Sequence, residues 1–422
     1  MYIFKDYNME NVILSQNKHW RSSYSNLYKR DIFEKLERNL QTKHIQVIQG
    51  IRRSGKSTLF KLLINHLSKT IDPEEILYIN LDDPYFTPYR DDATKFYDIV
   101  QSAKKLTQKE VRYLFLDEVQ NMKGWESYVK SAYDSELFSK IFVTGSNSTL
   151  LEGELATLLT GRYLSVQIYP LSFKEILQIN HIDTYMKQVE QKPKVLKLVD
   201  DMMLYGSFVE VYEHPKEFRR DILMSYYQTI LLKDCVANHA LRDIKSFKEL
   251  SFYLLSNITS LYSYSSLAKV VGINDKSVKE YISYLEESYL CTELKQFSFS
   301  LKEQQNAKKK LYFNDNGFIL LSFKFSSNWS KLLENLVLTE LIKEGCEVYF
   351  YNKNFECDFI VKKEAKTVAI QVCYELNDSN QKREINGLRK LPFEVDEKII
   401  LTYNQSKKIE DIKVVSFWEY FG

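Results

Sequence analysis

The motif GIRRSGKS at residues 50–57 constrains the fold more than any other feature of the sequence. It follows a short apolar run at 44–49 and precedes a run with helical periodicity at 59–64. In a strand–loop–helix setting, G-x-x-x-x-G-K-[ST] forms a loop whose backbone N–H groups bind phosphate. The alternative is a glycine-containing turn that happens to carry a lysine, and it does not require these flanking elements. The pattern therefore predicts a phosphate-binding loop.

Each position of the motif suits a nucleoside triphosphate with Mg²⁺. Glycine lets the backbone wrap the β-phosphate, the lysine neutralises β- and γ-phosphate oxygens, and the serine hydroxyl can ligate the metal. We predict ATP and Mg²⁺ as the ligands. The predicted nucleotide-binding residues are Gly50, Arg53, Ser54, Gly55, Lys56, Ser57 and Thr58.

Two adjacent carboxylates follow an apolar run at 111–116. We predict that Asp117 is a second Mg²⁺ ligand beside Ser57, and that Glu118 polarises the attacking water. Adjacent strand residues point to opposite faces, so the two carboxylates cannot share one role. The alternative is an exposed acidic strand end.

Further catalytic candidates follow or precede later apolar runs. Asn147, with Ser146, comes after a run at 141–143 and could hold water or the γ-phosphate; a plain turn is the alternative. Arg162 precedes the last run and could act as a finger on a neighbouring subunit's γ-phosphate, or form a surface salt bridge. Arg242 is a weaker finger candidate. The predicted catalytic residues are thus Lys56, Glu118, Asn147 and Arg162.

Composition narrows the class of protein. A chain of 422 residues exceeds the size of one core, so two or three domains are expected. The net charge of +2 argues against a uniformly basic nucleic-acid coat, and five scattered cysteines give neither a disulfide framework nor a zinc site. No run approaches the roughly 18 apolar residues that a membrane span needs. We expect a cytoplasmic protein that does not contact membranes.

The order of apolar runs predicts the architecture. Strands alternate with helices from 44 to about 170, which is typical of an α/β domain with a parallel sheet. Helices follow to about 250, and residues 262–290 read as two helices joined by a turn at Gly272, a helix-turn-helix pattern. The predicted domains are a P-loop ATPase core with an N-terminal helical segment at 1–169, a helical lid at 170–250, a winged helix at 251–325 and a further α/β unit at 326–422.

An ordered set of segments carries a resemblance to a known family. The segments are GIRRSGKSTL, ILYINLDDP, LFLDEVQNMKGWE, VTGSNSTLL, LTGRY, YPLSFKEI, YGSFVEVY and TILLKDCV. Taken together they resemble AAA+-related (AAA_14-type) bacterial and archaeal ATPases that join an ATPase core to a DUF4143-like C-terminal domain similar to PD-(D/E)xK nucleases. The resemblance covers roughly residues 20–400 and implies an ATPase core, a helical lid, a winged helix and a restriction-endonuclease-like end.

The nuclease-like end lacks two of the side chains that DNA cleavage requires. The nuclease pattern implies a helix glutamate, a strand aspartate and an acid-x-lysine pair, and these positions match Glu334, Asp358, Gln371 and Cys373. Gln371 is a weaker ligand than a carboxylate, and Cys373 cannot replace an ammonium. We therefore expect a degenerate scaffold, although Glu334 and Asp358 could still hold a metal weakly.

DNA is the predicted macromolecular partner. Groups that can reach phosphates or base edges are Asn274, Lys276, Ser277, Lys279 and the run Lys308–Lys310. The alternative is a winged helix that only packs between domains. The function predicted from the sequence is a Mg²⁺-dependent ATPase, working as a homo-oligomer and coupling its nucleotide state to C-terminal modules that act on DNA. An ATP-gated nuclease and a nucleotide-gated assembly switch without DNA are the alternatives.

Overall fold

The computed structural model describes residues 8–151, 154–322 and 328–422. The chain divides into two compact units, of which the first ends at Ile168 and the second begins at Tyr169. The finer division of the second unit into lid, winged helix and nuclease-like end stays a prediction. Its boundary at 325/326 lies outside the described residues.

A five-stranded parallel sheet forms the centre of the first unit. Its strand order is β2-β3-β4-β1-β5, which confirms the predicted α/β domain with a parallel sheet. Because β4 lies between β1 and β3, the loops that follow these three strands meet at one edge. The strands are β1 (Ile45–Gln49), β2 (Ile76–Asn80), β3 (Tyr113–Asp117), β4 (Lys140–Gly145) and β5 (Tyr163–Gln167).

Helices cover both faces of this sheet. Alternation along β3 sends Leu114 and Leu116 into one apolar cluster and Phe115 into the other. Phe115 stacks on Phe142 of β4 with ring centroids 4.1 Å apart, and Phe60 packs edge-on against it. The α-helices are α1 (Met9–Gln16), α2 (Phe33–Asn39), α3 (Lys56–Leu67), α4 (Lys95–Thr107), α5 (Trp125–Asp134) and α6 (Glu154–Leu159). Short 3-10 helices span Lys18–Trp20, Pro73–Glu75, Pro84–Tyr89, Val119–Asn121 and Ser148–Leu151.

The second unit begins with helices, as the sequence predicts. These are α7 (Phe173–Ile179), α8 (Tyr185–Glu190), α9 (Lys192–Tyr205), α10 (Val209–Glu213), α11 (Lys216–Thr229), α12 (Ile244–Ser256), α13 (Tyr264–Val271) and α14 (Asp275–Glu287). A π-helix, Ile230–Ala237, continues α11. Gly272, with φ +77°, ends α13, and the Asn274 side chain caps α14 by accepting from the Ser277 N–H at 2.8 Å.

Two sheets follow in the second unit. β6 (Cys291–Leu294) and β7 (Lys310–Phe313) pair antiparallel, with α15 (Leu301–Asn306) between them in the chain. A six-stranded sheet has the order β12-β13-β11-β10-β9-β8, in which β8, β9 and β10 are antiparallel while β11 and β13 run parallel to β10. The remaining elements are a 3-10 helix (Asn316–Leu321), α16 (Trp329–Lys343), β8 (Glu347–Asn352), β9 (Glu356–Lys363), β10 (Lys366–Cys373), α17 (Gln381–Arg389), β11 (Glu397–Thr402), β12 (Lys407–Ile409), β13 (Ile412–Ser416) and α18 (Phe417–Phe421).

None of the described helices combines the length and the apolar character that a membrane span requires.

Candidate functional site

The loop between β1 and α3 needs its two glycines. Gly50 has φ +149°, and a Cβ there would lie 2.0 Å from the Ile168 carbonyl oxygen. Gly55 has φ +98° and caps the N-terminus of α3. A side chain at either position would strain the backbone or displace β5's continuation, so the loop conformation depends on glycine.

Lys56 is enclosed by the same loop. It is 4% exposed, and its Nζ donates to the carbonyl oxygens of Gly50 at 2.9 Å and Ile51 at 3.3 Å. The same amine lies 3.8 Å from Glu118 Oε1. Lys56, the first residue of α3, is therefore paired with Glu118, the residue after β3, at the carboxyl ends of the parallel strands.

Asp117 lies at the end of β3 and is fully buried. Tyr78 on β2 donates its hydroxyl to Asp117 Oδ2 at 2.8 Å, Thr144 on β4 donates to Oδ1, and the Ser57 hydroxyl also hydrogen-bonds to the carboxylate. Burial raises the pKa of Asp117 and the neighbouring Glu118 charge raises it further, while these hydrogen bonds oppose the shift. Ser57 and Asp117, the two residues predicted to ligate Mg²⁺, are thus in direct contact.

Glu118 has a different environment from its neighbour. Its backbone is left-handed, with φ +55°, and its N–H donates to Thr144 Oγ1 at 3.0 Å. Gln120 Nε2 donates to its carboxylate. Burial favours the neutral acid, but Lys56 and then Arg52 outweigh burial and lower the pKa of Glu118. The carboxylate is therefore ionised at neutral pH.

Ser146 and Asn147 follow β4 at the same edge and are 1% and 4% exposed. Gln120 Nε2 donates to Ser146 Oγ at 3.3 Å, and the Ser146 hydroxyl hydrogen-bonds to Glu118. Ser146 is therefore part of the Glu118 network.

Three side chains at this site were not singled out from the sequence. Tyr78 and Thr144 hold Asp117, and Arg30 donates from Nη1 to the Ser54 carbonyl oxygen at 3.1 Å. Arg30 is 8% exposed, and its guanidinium would lie 3.5 Å from a Cβ at Gly55. Of the other predicted loop residues, Arg53 is exposed with φ +70° and Thr58 is half-buried on α3.

Arg162 lies at the amino-terminal ends of the strands, opposite the ends at which the loop and the two carboxylates lie. Its carbonyl accepts from the N–H of Ile45, where β1 begins, so the length of β1, roughly 13 Å, separates it from the loop. Its guanidinium pairs with Asp134, with Nε 2.8 Å from Oδ1. The geometry places Arg162 away from the loop of its own subunit, and the surface salt bridge named as the alternative is present. Arg242 is exposed in the second unit.

The positions that match the nuclease pattern surround a lysine. Glu334 on α16 and Asp358 on β9 both face Lys310 Nζ, and Gln371 Oε1 accepts from the Asp358 N–H at 3.3 Å. Cys373 is buried and uncharged, since burial raises the pKa of its thiol to about 12. Within the described ranges, no group of three or more His, Cys, Asp or Glu side chains is placed to hold a metal ion.

The prediction that the run Lys308–Lys310 could follow a DNA backbone is wrong for two of its three members. Lys309 and Lys310 are 7% and 2% exposed, and Lys308 is exposed. The Lys309 amine donates to the carbonyl oxygens of Gln305 and Ala307, and the Lys310 amine faces buried carboxylates. On α14, Lys276 and Lys279 are exposed, whereas the Asn274 side chain is engaged in capping the helix.

Two family models match the chain. An AAA domain matches residues 42–177, and a domain of unknown function, DUF8612, matches residues 196–328. The AAA domain covers the loop, both carboxylates and the whole parallel sheet. This match confirms the prediction of an AAA-related, nucleotide-binding domain, while the resemblance of the C-terminal end to nucleases stays a prediction.

Two uncharacterized proteins match along most of their lengths. One, from Methanocaldococcus jannaschii, is 33% identical over 93% of this chain and 90% of its own. The chain belongs to the same family. A second member, from Haemophilus influenzae, is 30% identical over 89% of this chain and 93% of its own. Among solved structures, Cdc6p from Pyrobaculum aerophilum aligns with 78% of this family member and 98% of its own chain at 13% identity, with a TM-score of only 0.29.

Proposed function

We propose that the chain is a Mg²⁺-dependent ATPase that binds ATP at the 50–58 loop and hydrolyses it to ADP and phosphate. One observation carries the proposal. Lys56 and Ser57 at the start of α3 meet Asp117 and Glu118 at the end of β3. The pKa of Asp117 is raised and that of Glu118 is lowered. Carboxylates with separated roles are what metal binding and water activation require.

The residues present fit a magnesium nucleotide. The serine hydroxyl and the aspartate carboxylate offer oxygen ligands, which Mg²⁺ prefers. Gly50 and Gly55 keep the loop free of side chains where backbone N–H groups would approach phosphates. When bound, Mg²⁺ neutralises charge on the β- and γ-phosphate oxygens.

The protein's own side chains have distinct proposed roles. When ATP binds, the Lys56 amine leaves the Gly50 and Ile51 carbonyl oxygens and donates to phosphate oxygens instead. Ser57 and Asp117 hold the metal, and Tyr78 and Thr144 orient Asp117. Glu118, ionised and 12% exposed at its side chain, accepts a proton from the attacking water. Asn147 is assigned to the γ-phosphate because it follows β4 at this edge.

Titration of the protein with a fluorescent ATP analogue tests the binding step. Wild type and the exposed-lysine control Lys69→Ala are expected to bind with Mg²⁺ at micromolar to millimolar concentrations, and Lys56→Ala is expected to lose binding because no cation replaces the ammonium. Equal binding by Lys56→Ala and wild type would show that the 50–58 loop does not bind ATP as proposed.

We further propose that the active form is a homo-oligomer in which Arg162 reaches a neighbour's γ-phosphate. Its distance from its own loop supports an action in trans only. The guanidinium is paired with Asp134 at the surface, so it would have to leave this ion pair to act as a finger.

DNA is the proposed macromolecular partner. The support is that α13, α14 and the β6–β7 pair have the element order of a winged helix, with Lys276 and Lys279 exposed on α14. Phosphate release measured with and without double-stranded DNA tests this partner. Stimulation that falls steeply with salt and is lost in Lys276→Ala/Lys279→Ala supports it. A change of native mass with nucleotide, without any effect of DNA, would favour the assembly switch instead.

A further inference from the structure

A lysine ammonium is buried among carboxylates in the second unit. Lys310 begins β7 and is 2% exposed. Its Nζ lies 2.8 Å from Glu356 Oε1, 3.3 Å from Glu334 Oε1 and 3.7 Å from Asp358 Oδ1. These carboxylates come from α16 and β9, elements that are far from β7 in sequence. A buried ammonium costs several kcal/mol unless it is paired, so the four groups form one electrostatic unit.

Other contacts hold two of these carboxylates, those of Glu334 and Asp358, in position. Tyr312, on the same strand as Lys310, donates its hydroxyl to Glu334 Oε1 at 2.7 Å. The Val372 N–H donates to Asp358 Oδ2 at 2.9 Å. Burial alone would lower the pKa of Lys310, but the three carboxylates outweigh it and raise the pKa above its ordinary value. The three carboxylates therefore keep the amine protonated.

The same three carboxylates would otherwise repel one another. Carboxylates that converge on one point from different elements are typical of divalent-cation sites, in which oxygen ligands lie about 2.0–2.6 Å from the metal. Here the point of convergence holds a nitrogen of the chain itself.

We infer that the Lys310 ammonium is a built-in cation that takes the place of a divalent metal between Glu334, Glu356 and Asp358. The cluster then takes up no Mg²⁺ or Mn²⁺ in the wild-type protein, and the adjoining cleft of about 860 Å³, which these residues line, performs no metal-dependent phosphodiester hydrolysis. As placed around Lys310, the three acids do not form a metal site. Removing the ammonium leaves three oxygen ligands and an excess of negative charge, and we expect these side chains to close on a divalent cation in its place.

Lys309 provides a matched control. It is the adjacent residue and is also buried, at 7% exposure, but its Nζ donates to the carbonyl oxygens of Gln305 and Ala307 and to no carboxylate in the cluster. Lys309→Ala therefore removes a buried ammonium of the same type without changing the charge between the three acids.

The test is Mn²⁺ binding to the nucleotide-free full-length protein, counted by electron paramagnetic resonance. Lys310→Ala is expected to bind one more Mn²⁺ than wild type, and Lys309→Ala and Lys310→Ala/Asp358→Asn to bind no more than wild type. Counting relative to wild type removes any contribution of the proposed ATPase site, so failure here leaves the proposed function untouched. A folded Lys310→Ala without the additional ion overturns the inference.

Thermal unfolding gives a second readout. In EDTA, Lys310→Ala is expected to unfold at a lower temperature than wild type, and Mn²⁺ is expected to raise its unfolding temperature again. Any effect of Mn²⁺ on the unfolding temperature of wild type is expected to be the same in Asp358→Asn. If Lys310→Ala does not fold in either buffer, Lys310→Ala/Glu356→Gln, which carries less repulsion, takes its place. Mn²⁺ binding by wild type that disappears in Asp358→Asn, or metal-dependent DNA cleavage that disappears in Lys310→Ala, overturns the inference.

Discussion

The Thr144 hydroxyl donates to Asp117 Oδ1 across the adjacent strands β4 and β3. The oxygen of that hydroxyl, Thr144 Oγ1, also accepts from the backbone N–H of Glu118, the residue after Asp117, at 3.0 Å. One hydroxyl therefore fixes the carboxylate proposed for metal binding and the left-handed backbone that directs the carboxylate proposed for catalysis. The strand order makes this contact possible, because β4 lies between the strands that carry the loop and the two acids.

Replacing Thr144 by valine should slow ATP hydrolysis. Valine keeps the shape of the side chain but leaves the Glu118 N–H without its acceptor and removes the Thr144 donor from Asp117 Oδ1. Losing such a bond costs about 1–3 kcal/mol, so we expect turnover to fall about 10-fold or more. Steady-state phosphate release measures it, and Thr144→Ser, which keeps the hydroxyl, is expected to stay close to wild type. A Thr144→Val protein as active as wild type would show that this bond does not matter for catalysis.

The role of Arg162 can be separated from its ion pair. If Arg162 acts as a finger, Arg162→Ala should lose about 1,000-fold in turnover, whereas Asp134→Ala, which breaks the same pair but keeps the guanidinium, should change it only slightly. Equal losses in the two variants would assign Arg162 to the salt bridge alone.

Mixing two inactive variants tests whether Arg162 acts in trans. In a mixed oligomer, a Lys56→Ala subunit supplies Arg162 to the intact loop of an Arg162→Ala neighbour. We therefore expect the mixture to regain phosphate release that neither variant shows by itself. A mixture that stays inactive, although native mass spectrometry detects mixed oligomers, would contradict an action between subunits.

The first unit should lose stability in mild acid because of His19. Its Nε2 lies 3.0 Å from the Ile76 carbonyl oxygen, and burial lowers its pKa from 6.5 to about 4, an effect that this carbonyl partly opposes. The unfolded chain binds the proton more readily, so the stabilisation is complete above pH 6.5 and is lost as the pH falls toward 4. We expect a loss of about 2 kcal/mol between pH 7 and pH 5.

Hydrogen exchange measures this pH dependence locally. The amides of β2 report the free energy of opening next to His19, and the dependence should be smaller in His19→Gln than in wild type. His214→Gln, which changes an exposed histidine, serves as the control. An unchanged slope in His19→Gln would assign the acid sensitivity to other groups.

Local pattern was enough to predict the parallel sheet and the loop. The glycines, Lys56 and the Asp117–Glu118 pair lie within short segments whose spacing fixes their geometry, and the structure brings them to one edge. Tyr78 and Thr144 could not be predicted in the same way, because their contacts with Asp117 depend on which strands are adjacent. Strand order is not encoded by the spacing of residues along the chain.

The pairing of buried charges around Lys310 could not be predicted from local sequence either. The nuclease pattern requires an acid-x-lysine pair on one strand, and this sequence has Gln371 and Cys373 at those positions. The lysine of the pattern is therefore missing from that strand. The structure supplies a lysine from β7 instead, where the run Lys308–Lys310 had suggested a contact with DNA phosphates. Alternation along β7 and pairing with distant carboxylates, neither visible in the run itself, bury Lys310.

The most direct test of the account compares ATP binding and turnover in Glu118→Gln and wild type, with the exposed carboxylate variant Glu110→Gln as control. Glu118→Gln should bind ATP within about 3-fold of wild type, since Lys56 and Ser57 are intact, and should lose at least about 100-fold in phosphate release, because an amide accepts no proton from water. Hydrolysis by Glu118→Gln at the wild-type rate would contradict the account.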